Sequence, residues 1–385
     1  MSKSLRLGII GLGNMGMTHA ANIRAGKVPR LELAAAADAF PEKLAKFSDI
    51  RTFSAFGDMA ASGAIDAVLI ATPHFQHTEL GIQGLNAGLH VLVEKPVSVH
   101  KADAERLIAA HTRKDRVFAG VFNQRTDPYY LKLREMIQNG ELGEVRRVSW
   151  TITNWFRTEH YYASGSWRAT WAGEGGGILL NQCPHNLDLL QWLFGKPTRI
   201  RAFCRFGRYH DIEVEDEVTA YMEFPNGATG VFISTTGEAP GTNRLEIAAE
   251  RGRIVFEGEK IDFTRNETPM SEFSKTVEAS FSQPKTTQHT FAFPDRGEQH
   301  VGILKNFTAA VLDGAPLIAP AEEGIHSLEI ANAMLLSTWL DRTVDLPIDG
   351  RTYEELLKQR IAASKPKTRK AAAATSEDFA KSFGR

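Results

Sequence analysis

The run Gly11-Leu12-Gly13-Asn14-Met15-Gly16 constrains this chain more than any other feature. Alone, G-x-G-x-x-G is a common glycine turn. Here an apolar run at 5–10 precedes it, an amphipathic stretch at 15–25 follows it, and Asp38 stands 22 residues after Gly16, past the next apolar run at 31–37. That context is the fingerprint of a strand, turn and helix that hold a dinucleotide. Gly11 permits the tight turn, Gly13 lets the backbone approach a pyrophosphate, and Gly16 lets the helix pack close to the strand. The helix N-terminus favours the phosphate charge. Asp38 is suited to accept from the ribose hydroxyls and to repel a 2′-phosphate, and Ala39 and Phe40 bring no cation beside it. NAD(H) is therefore expected in preference to NADP(H).

The same grammar continues. Expected strands at 5–10, 31–37, 67–71, 90–93 and 117–122 alternate with expected helices at 15–25, 77–87 and 102–114, the pattern of a parallel sheet with crossover helices. Beyond 122 the pattern changes to a helix at 128–139, a strand at 145–156 and a helix at 178–194. Strands at 199–206, 218–224, 228–235, 245–249 and 252–256 then follow without helices between them. Pro225-Asn226-Gly227 fits a hairpin turn. This half reads as an α+β domain with a largely antiparallel sheet, closed by helices at 301–312 and 322–340. The expected fold class is α/β plus α+β, with a dinucleotide-binding domain over 1–125, a substrate-binding domain over 126–363 and a mobile tail over 364–385. Docking of Phe379 and Phe383 is the alternative for the tail.

Composition narrows the partners. With 45 Lys+Arg against 46 Asp+Glu, the formal charge of −1 gives no global reason to bind nucleic acid or an anionic membrane. No apolar run approaches the ~20 residues of a membrane span, and no secretory leader pattern opens the sequence. The two cysteines, Cys183 and Cys204, form no C-x-x-C pair, so neither a disulfide framework nor a cysteine zinc site is supported. A cytoplasmic protein without a metal is expected.

Chemistry-bearing residues cluster at expected strand ends. Ala71-Thr72-Pro73-His74 ends one strand, with His77 three residues on, and Glu94-Lys95-Pro96 ends the next, where open parallel sheets hold ligands. Lys95 either points into that cleft or makes a surface ion pair with Glu94. Further on, Gly175, Gly176 and Gly177 lead into the helix at 178–194, on which Asn181, His185 and Asp188 can share a face. His185 is either a core histidine or a site residue. The triplet suits close backbone packing better than a second phosphate, and Cys183 suits a small buried hydrophobe. Trp155, Arg157, Tyr161, Tyr162, Trp167, Arg168 and Trp171 form an aromatic and guanidinium-rich stretch. It is either interface packing or a wall against which sugar C–H faces stack while arginines read hydroxyls or carboxylates.

On these residues the chain resembles the Gfo/Idh/MocA family of oxidoreductases, the group around glucose-fructose oxidoreductase and inositol 2-dehydrogenase. The resemblance also draws on Gly88-Leu89-His90-Val91, Asn226-Gly227, Asp313-Gly314, Glu322-Glu323-Gly324 and Asp345-Leu346-Pro347. It implies an N-terminal Rossmann domain and a C-terminal domain with an open-faced sheet that joins subunits, hence a homodimer or homotetramer. It also implies hydride transfer between nicotinamide and a secondary alcohol of a sugar or cyclitol. Lys95 would orient the reacting oxygen and His185 would act as acid/base. Asn14, Met15, Thr72, Pro73, His77, Glu94, Lys95 and Gln124 would join Gly11, Gly13, Gly16 and Asp38 around the cofactor. Arg157, Tyr162, Trp167, Arg168, Asn181 and His185 would meet the substrate. Many members carry an aspartate where this chain has Asn181; an amide there is expected to orient ring or substrate without adding charge, so that His185 titrates lower. The alternative is a glycosidase or lyase that keeps NAD bound and oxidises a ring hydroxyl only transiently.

Overall fold

The computed structural model describes residues 3–165 and 167–365; the expected tail lies outside them from 366 onward. Strands β1 (Leu5–Ile10), β2 (Leu31–Ala37), β3 (Arg51–Phe53), β4 (Ala67–Ile70), β5 (His90–Val93) and β6 (Phe118–Gly120) form one sheet in the order β3-β2-β1-β4-β5-β6. Every pair in it is parallel. Helices α1 (Asn14–Arg24), α2 (Pro41–Leu44), α3 (Phe56–Ala61), α4 (Phe75–Asn86) and α5 (Lys101–Ala109) connect the strands. Because helices cover both faces, β4 and β5 are buried along their whole length, and their sequences are continuous apolar runs without alternation. The strand order reverses between β1 and β4, and this opens a crevice at their C-terminal ends.

The second unit comprises α6 (Pro128–Gln138), β7 (Val145–Ile152), α7 (Glu159–Ala163), α8 (Pro184–Phe194), β8 (Arg199–Phe206), β9 (Glu215–Glu223), β10 (Thr229–Thr235), β11 (Asn243–Ala249), β12 (Gly252–Glu257), β13 (Lys260–Asn266), α9 (Met270–Thr276), β14 (Thr286–Ala292), α10 (Gln299–Asp313), α11 (Gly324–Leu340), β15 (Val344–Asp345) and α12 (Gly350–Ala363). Its nine strands run in the order β14-β13-β12-β11-β7-β10-β9-β8-β15. Only β7 and β10 pair in parallel, so the sheet is largely antiparallel, as the sequence implied. Alternation sets its two faces. Ile200, Ala202 and Cys204 turn inward with Val218, Ala220 and Met222 into the core that α8 and α11 share, while Phe203 and Tyr221 stay exposed on the outer face.

Two expectations are corrected. The helix expected at 178–194 begins only at Pro184, because proline takes the first helical position and residues 178–183 coil through tight turns. The helix expected to close the second half at 301–312 exists as α10, but Ile303, Leu304 and Phe307 pack into the first sheet's core. The unit boundary is bridged as well by the fully buried Arg125. Its Nη2 and Nε grip the Asp188 carboxylate at 2.6 and 2.7 Å, and its Nη1 reaches Glu323 and the Ile318 carbonyl. Asp188, expected beside His185 on the site face, serves this junction instead.

Candidate active site

The glycine loop sits at the crevice floor. Gly11 has φ +92°, and a Cβ there would lie 2.7 Å from the Ala71 backbone; one on Gly16 would lie 1.9 Å from the Gly11 carbonyl oxygen. Both must be glycine on steric grounds. A Cβ on Gly13 meets nothing within 4 Å, which leaves that backbone open for a ligand. Asn14 and Met15 open α1 there, and no side chain caps its N-terminus. Asp38 is tied to this loop: it accepts from Leu12 N at 2.7 Å and from Phe40 N at 2.9 Å. The expectation of no cation beside it is overturned, since Lys43 Nζ lies 3.2 Å from Asp38 Oδ2. Lys43 is brought back by α2, a helix that the sequence reading did not include.

Two buried side-chain oxygens at the crevice have no hydrogen-bond partner, Thr72 Oγ1 after β4 and Gln124 Oε1 after β6. Buried polar atoms are nearly always satisfied, so these two fit a polar ligand laid across the strand ends. Pro73 is exposed beside them. These atoms, the open Gly13 backbone and Asp38 together suit a dinucleotide. His77, expected beside the cofactor, has both ring nitrogens on backbone oxygens, Nδ1 2.7 Å from Pro96 O and Nε2 2.8 Å from Thr72 O, and so clamps the ends of β4 and β5 together. Glu94 likewise holds rather than contacts. Its Oε1 is 2.7 Å from His19 Nε2, and its Oε2 accepts from Lys95 N. Burial pushes the Glu94 carboxyl up, but the His19 hydrogen bond and the fields of His19, His300 and Lys95 outweigh it and hold the group at about 2.

Lys95 turns inward, and the surface ion pair with Glu94 is not formed. Its Nζ donates to the Asn181 carbonyl oxygen at 2.8 Å. Burial lowers its pKa, Arg168 and Arg157 add to that, and Glu94 and Glu174 oppose it. His185, on the first turn of α8, lies within the field of Lys95 and edge-on to Phe122, with ring centroids 6.4 Å apart. Its Nδ1 is buried without a partner. Burial, then Lys95 and His300, hold the imidazole far below its usual range, so it is neutral at pH 7.

Burial, Lys95 and His300 set the low range of His185, and Asn181 makes its side-chain hydrogen bond elsewhere. The Asn181 side chain donates through Nδ2 to Glu174 Oε1, while Ala169 N donates to Glu174 Oε2 at 2.5 Å. Sequence reasoning missed Glu174, although the residue directly precedes the glycine triplet. The triplet itself packs closely: a Cβ on Gly175 would lie 2.2 Å from the Val99 side chain, and one on Gly177 2.0 Å from the Glu215 carbonyl oxygen. Cys183 is buried with its thiol pushed up to about 12, an inert group.

The aromatic stretch divides. Tyr162, expected at the substrate, is buried in the second core with its hydroxyl donating to Thr236 Oγ1 at 2.8 Å. Its neighbour Tyr161 takes the place at the crevice. The Arg157 and Arg168 guanidiniums lie 5.1 and 4.8 Å from its ring centroid, and Arg168 Nη1 donates to its hydroxyl at 3.0 Å. Trp167 lies under Arg168 at 4.7 Å and edge-on to His74 at 5.9 Å. Both arginines therefore stand with Trp167 over the lysine end of the crevice.

Comparison with known proteins agrees with this geometry. Residues 5–121 match the model of the oxidoreductase family with an NAD-binding Rossmann fold, and residues 130–255 match the GFO/IDH/MocA C-terminal domain. The rhizopine catabolism protein MocA of Rhizobium meliloti is 32% identical, over 85% of this chain and 93% of its own. An inositol 2-dehydrogenase of Rhizobium meliloti (strain 1021) is 26% identical over 89% of this chain and 99% of its own. Among solved structures, the WlbA dehydrogenase of Bordetella pertussis, in complex with NADH and UDP-GlcNAcA, superposes with a TM-score of 0.75 at 26% identity, covering 90% of this chain and 100% of that one.

Proposed function

The chain belongs to the Gfo/Idh/MocA family of NAD-binding oxidoreductases and is a dehydrogenase acting on CH–OH groups, and from that premise we propose that its substrate is a secondary alcohol of a sugar, sugar derivative or cyclitol. One observation carries the assignment of the chemistry: a half-buried lysine after β5 and a buried neutral histidine on α8 lie within each other's field at the strand ends. Bound NAD+ supplies a hydride acceptor at its nicotinamide. Gly11, Gly13, Gly16, Asn14 and Met15 would hold its pyrophosphate, Asp38 its ribose, and Thr72, Pro73 and Gln124 the length between β4 and β6. His185 is the base: its depressed pKa keeps it neutral, and it takes the hydroxyl proton as the alcohol is oxidised. Lys95 donates to the oxygen as negative charge develops there, and in a buried site that donation is worth more than in water. Asn181 and Glu174 act at one remove, by fixing the carbonyl that aims Lys95.

NAD(H) remains the proposed preference, because Asp38 keeps a full carboxylate where a 2′-phosphate would lie. Lys43 weakens that repulsion without removing it. The exposed Phe203 and Tyr221 on the outer face of the nine-stranded sheet support a homodimer or homotetramer. Two free, buried thiols fit a reducing, cytoplasmic setting. No helix among the described residues is long and apolar enough to cross a membrane. The test is a panel of polyols, sugars and aryl glycosides followed both at 340 nm and for aglycone release. Stoichiometric NADH with the free polyol or sugar supports the proposal. Aglycone release without net NADH overturns it in favour of a redox-assisted glycosidase or lyase.

A further inference from the structure

Asp38 follows β2 directly, where a dinucleotide-binding sheet presents an acid to the ribose hydroxyls of adenosine. An ionised carboxylate has about four acceptor sites, two on each oxygen. Three donors already use this one: Leu12 N at 2.7 Å and Lys43 Nζ at 3.2 Å on Oδ2, and Phe40 N at 2.9 Å on Oδ1. That leaves a single site, on Oδ1. The two adjacent hydroxyls of an unmodified ribose need two.

One of the three donors must therefore give way, and their positions decide which. Leu12 N and Phe40 N belong to the backbone of the turns that Asp38 fastens, so neither can leave without breaking its turn. Lys43 is a side chain on the four-residue α2, 38% exposed against 6% for Asp38. It is the donor that can turn out, and a lysine this open to water holds its carboxylate only weakly. Its ammonium also lies 4.7 Å from the centroid of the exposed Phe40 ring, an attraction that keeps the charge beside Asp38 once the ion pair opens.

We propose that Lys43 is the residue that sets the margin between NAD(H) and NADP(H). It turns from Asp38 when two free ribose hydroxyls arrive, and it serves as counter-ion when a 2′-phosphate does. In the second case only the 3′-hydroxyl seeks Asp38, and the one open acceptor site on Oδ1 suffices. The proposal rests on the dinucleotide reading of the crevice and deepens it. The preference for NAD(H) that Asp38 confers becomes a narrow one, and Lys43 supplies the narrowing where Ala39 and Phe40 carry no charge.

Calorimetric titration with NADH and with NADPH tests this without any substrate, on the full chain and on its Lys43→Met and Lys43→Arg variants. The parent is expected to bind both cofactors, NADH the more tightly. In Lys43→Met the NADPH affinity should fall by ~10- to 100-fold, the span of a charge-assisted hydrogen bond. NADH affinity should hold or rise in that variant, because Asp38 gains an acceptor site. Lys43→Arg keeps the charge and should keep the NADPH binding, which separates loss of the charge from damage to α2. An unchanged ratio of the two affinities in Lys43→Met overturns the proposal. An equal loss of both cofactors in that variant also overturns it, since the lysine would then be a prop of the loop. So does a parent that binds NADH but no NADPH. Tighter binding of NADPH than of NADH by the parent, reversed in Lys43→Met, supports the role of Lys43 and overturns the NAD(H) preference. Binding of neither cofactor by the parent overturns the dinucleotide reading and the proposal with it.

Discussion

Replacing Asn181 with aspartate tests how the active-site floor is held. In the native protein the Asn181 amide donates to Glu174, and the same residue's carbonyl aims Lys95. Asn181→Asp would set two carboxylates within hydrogen-bond distance. At an effective dielectric near 20, two like charges ~4 Å apart repel by about 4 kcal/mol, which corresponds to about three pK units. The pair is therefore expected to keep one proton up to about pH 7, and while it does, the acid donates to Glu174 much as the amide did. The folded-state pKa is raised above the unfolded value near 4, so the stability this proton confers is complete below about pH 4. It is lost as pH rises to about 7 and does not return above that. Urea unfolding of parent and variant at pH 5 and pH 8 should show the deficit of the variant growing by about 2–3 kcal/mol between them, two units at 1.36 kcal/mol each. A deficit that is constant with pH, or that shrinks towards pH 8, refutes the argument. If Asn181 acted on His185 instead, the acidic limb of kcat/KM would move without that stability change.

Lys95→Met and His185→Ala are each expected to lower kcat by at least ~10²-fold while calorimetric NADH binding persists; wild-type turnover in either removes that residue from the chemistry. For alcohol oxidation the base must be neutral, and since burial depresses His185, kcat/KM of the parent should hold as pH falls through 6.5, with its acidic limb lying below that value. Asp188→Asn leaves the buried Arg125 with only Glu323 for a counter-ion and should cost about 3 kcal/mol in urea unfolding; a loss under 1 kcal/mol contradicts the role given to this junction. Asp38→Ser with Ala39→Arg should move preference towards NADP(H), but with weaker binding of both cofactors by calorimetry, because Asp38 also fastens the glycine loop through Leu12 N.

What the sequence revealed follows from periodicity and from steric necessity. Strands β4 and β5 are buried throughout, and β1 and β2 are apolar beyond the exposed Arg6 and Glu32, because both faces of the sheet are covered; Gly11 and Gly16 are glycine because the backbone leaves no room. Strand β14 carries no such pattern: Thr286–Ala292 is exposed along almost its whole length and pairs only at an edge, so no apolar period marks it. Strand β13 did carry one, since Ile261 and Phe263 alternate inward, and α12 begins at Asp349, whose side chain caps it, so both were available to a closer reading. At the site, which of two adjacent tyrosines meets the crevice was beyond sequence, because α7 spans only five residues and its orientation is set by Thr236 and the two arginines. Glu174 was hidden for a related reason: its partners Ala169 and Asn181 lie on turns that no period predicts. Lys43 was within reach, because Pro41 marks a helix start that carries it back towards Asp38.

The central claim is that Lys95 and His185 serve direct hydride transfer from a carbinol carbon at the end of β4 and β5. The most direct test is to supply an alcohol substrate deuterated at that carbinol carbon, together with NAD+, and to measure by mass spectrometry the label in the NADH produced. One deuterium per NADH formed is expected, in the parent and, more slowly, in Lys95→Met. Unlabelled NADH, or deuterium found in a cleaved product with the cofactor returned as NAD+, would contradict it.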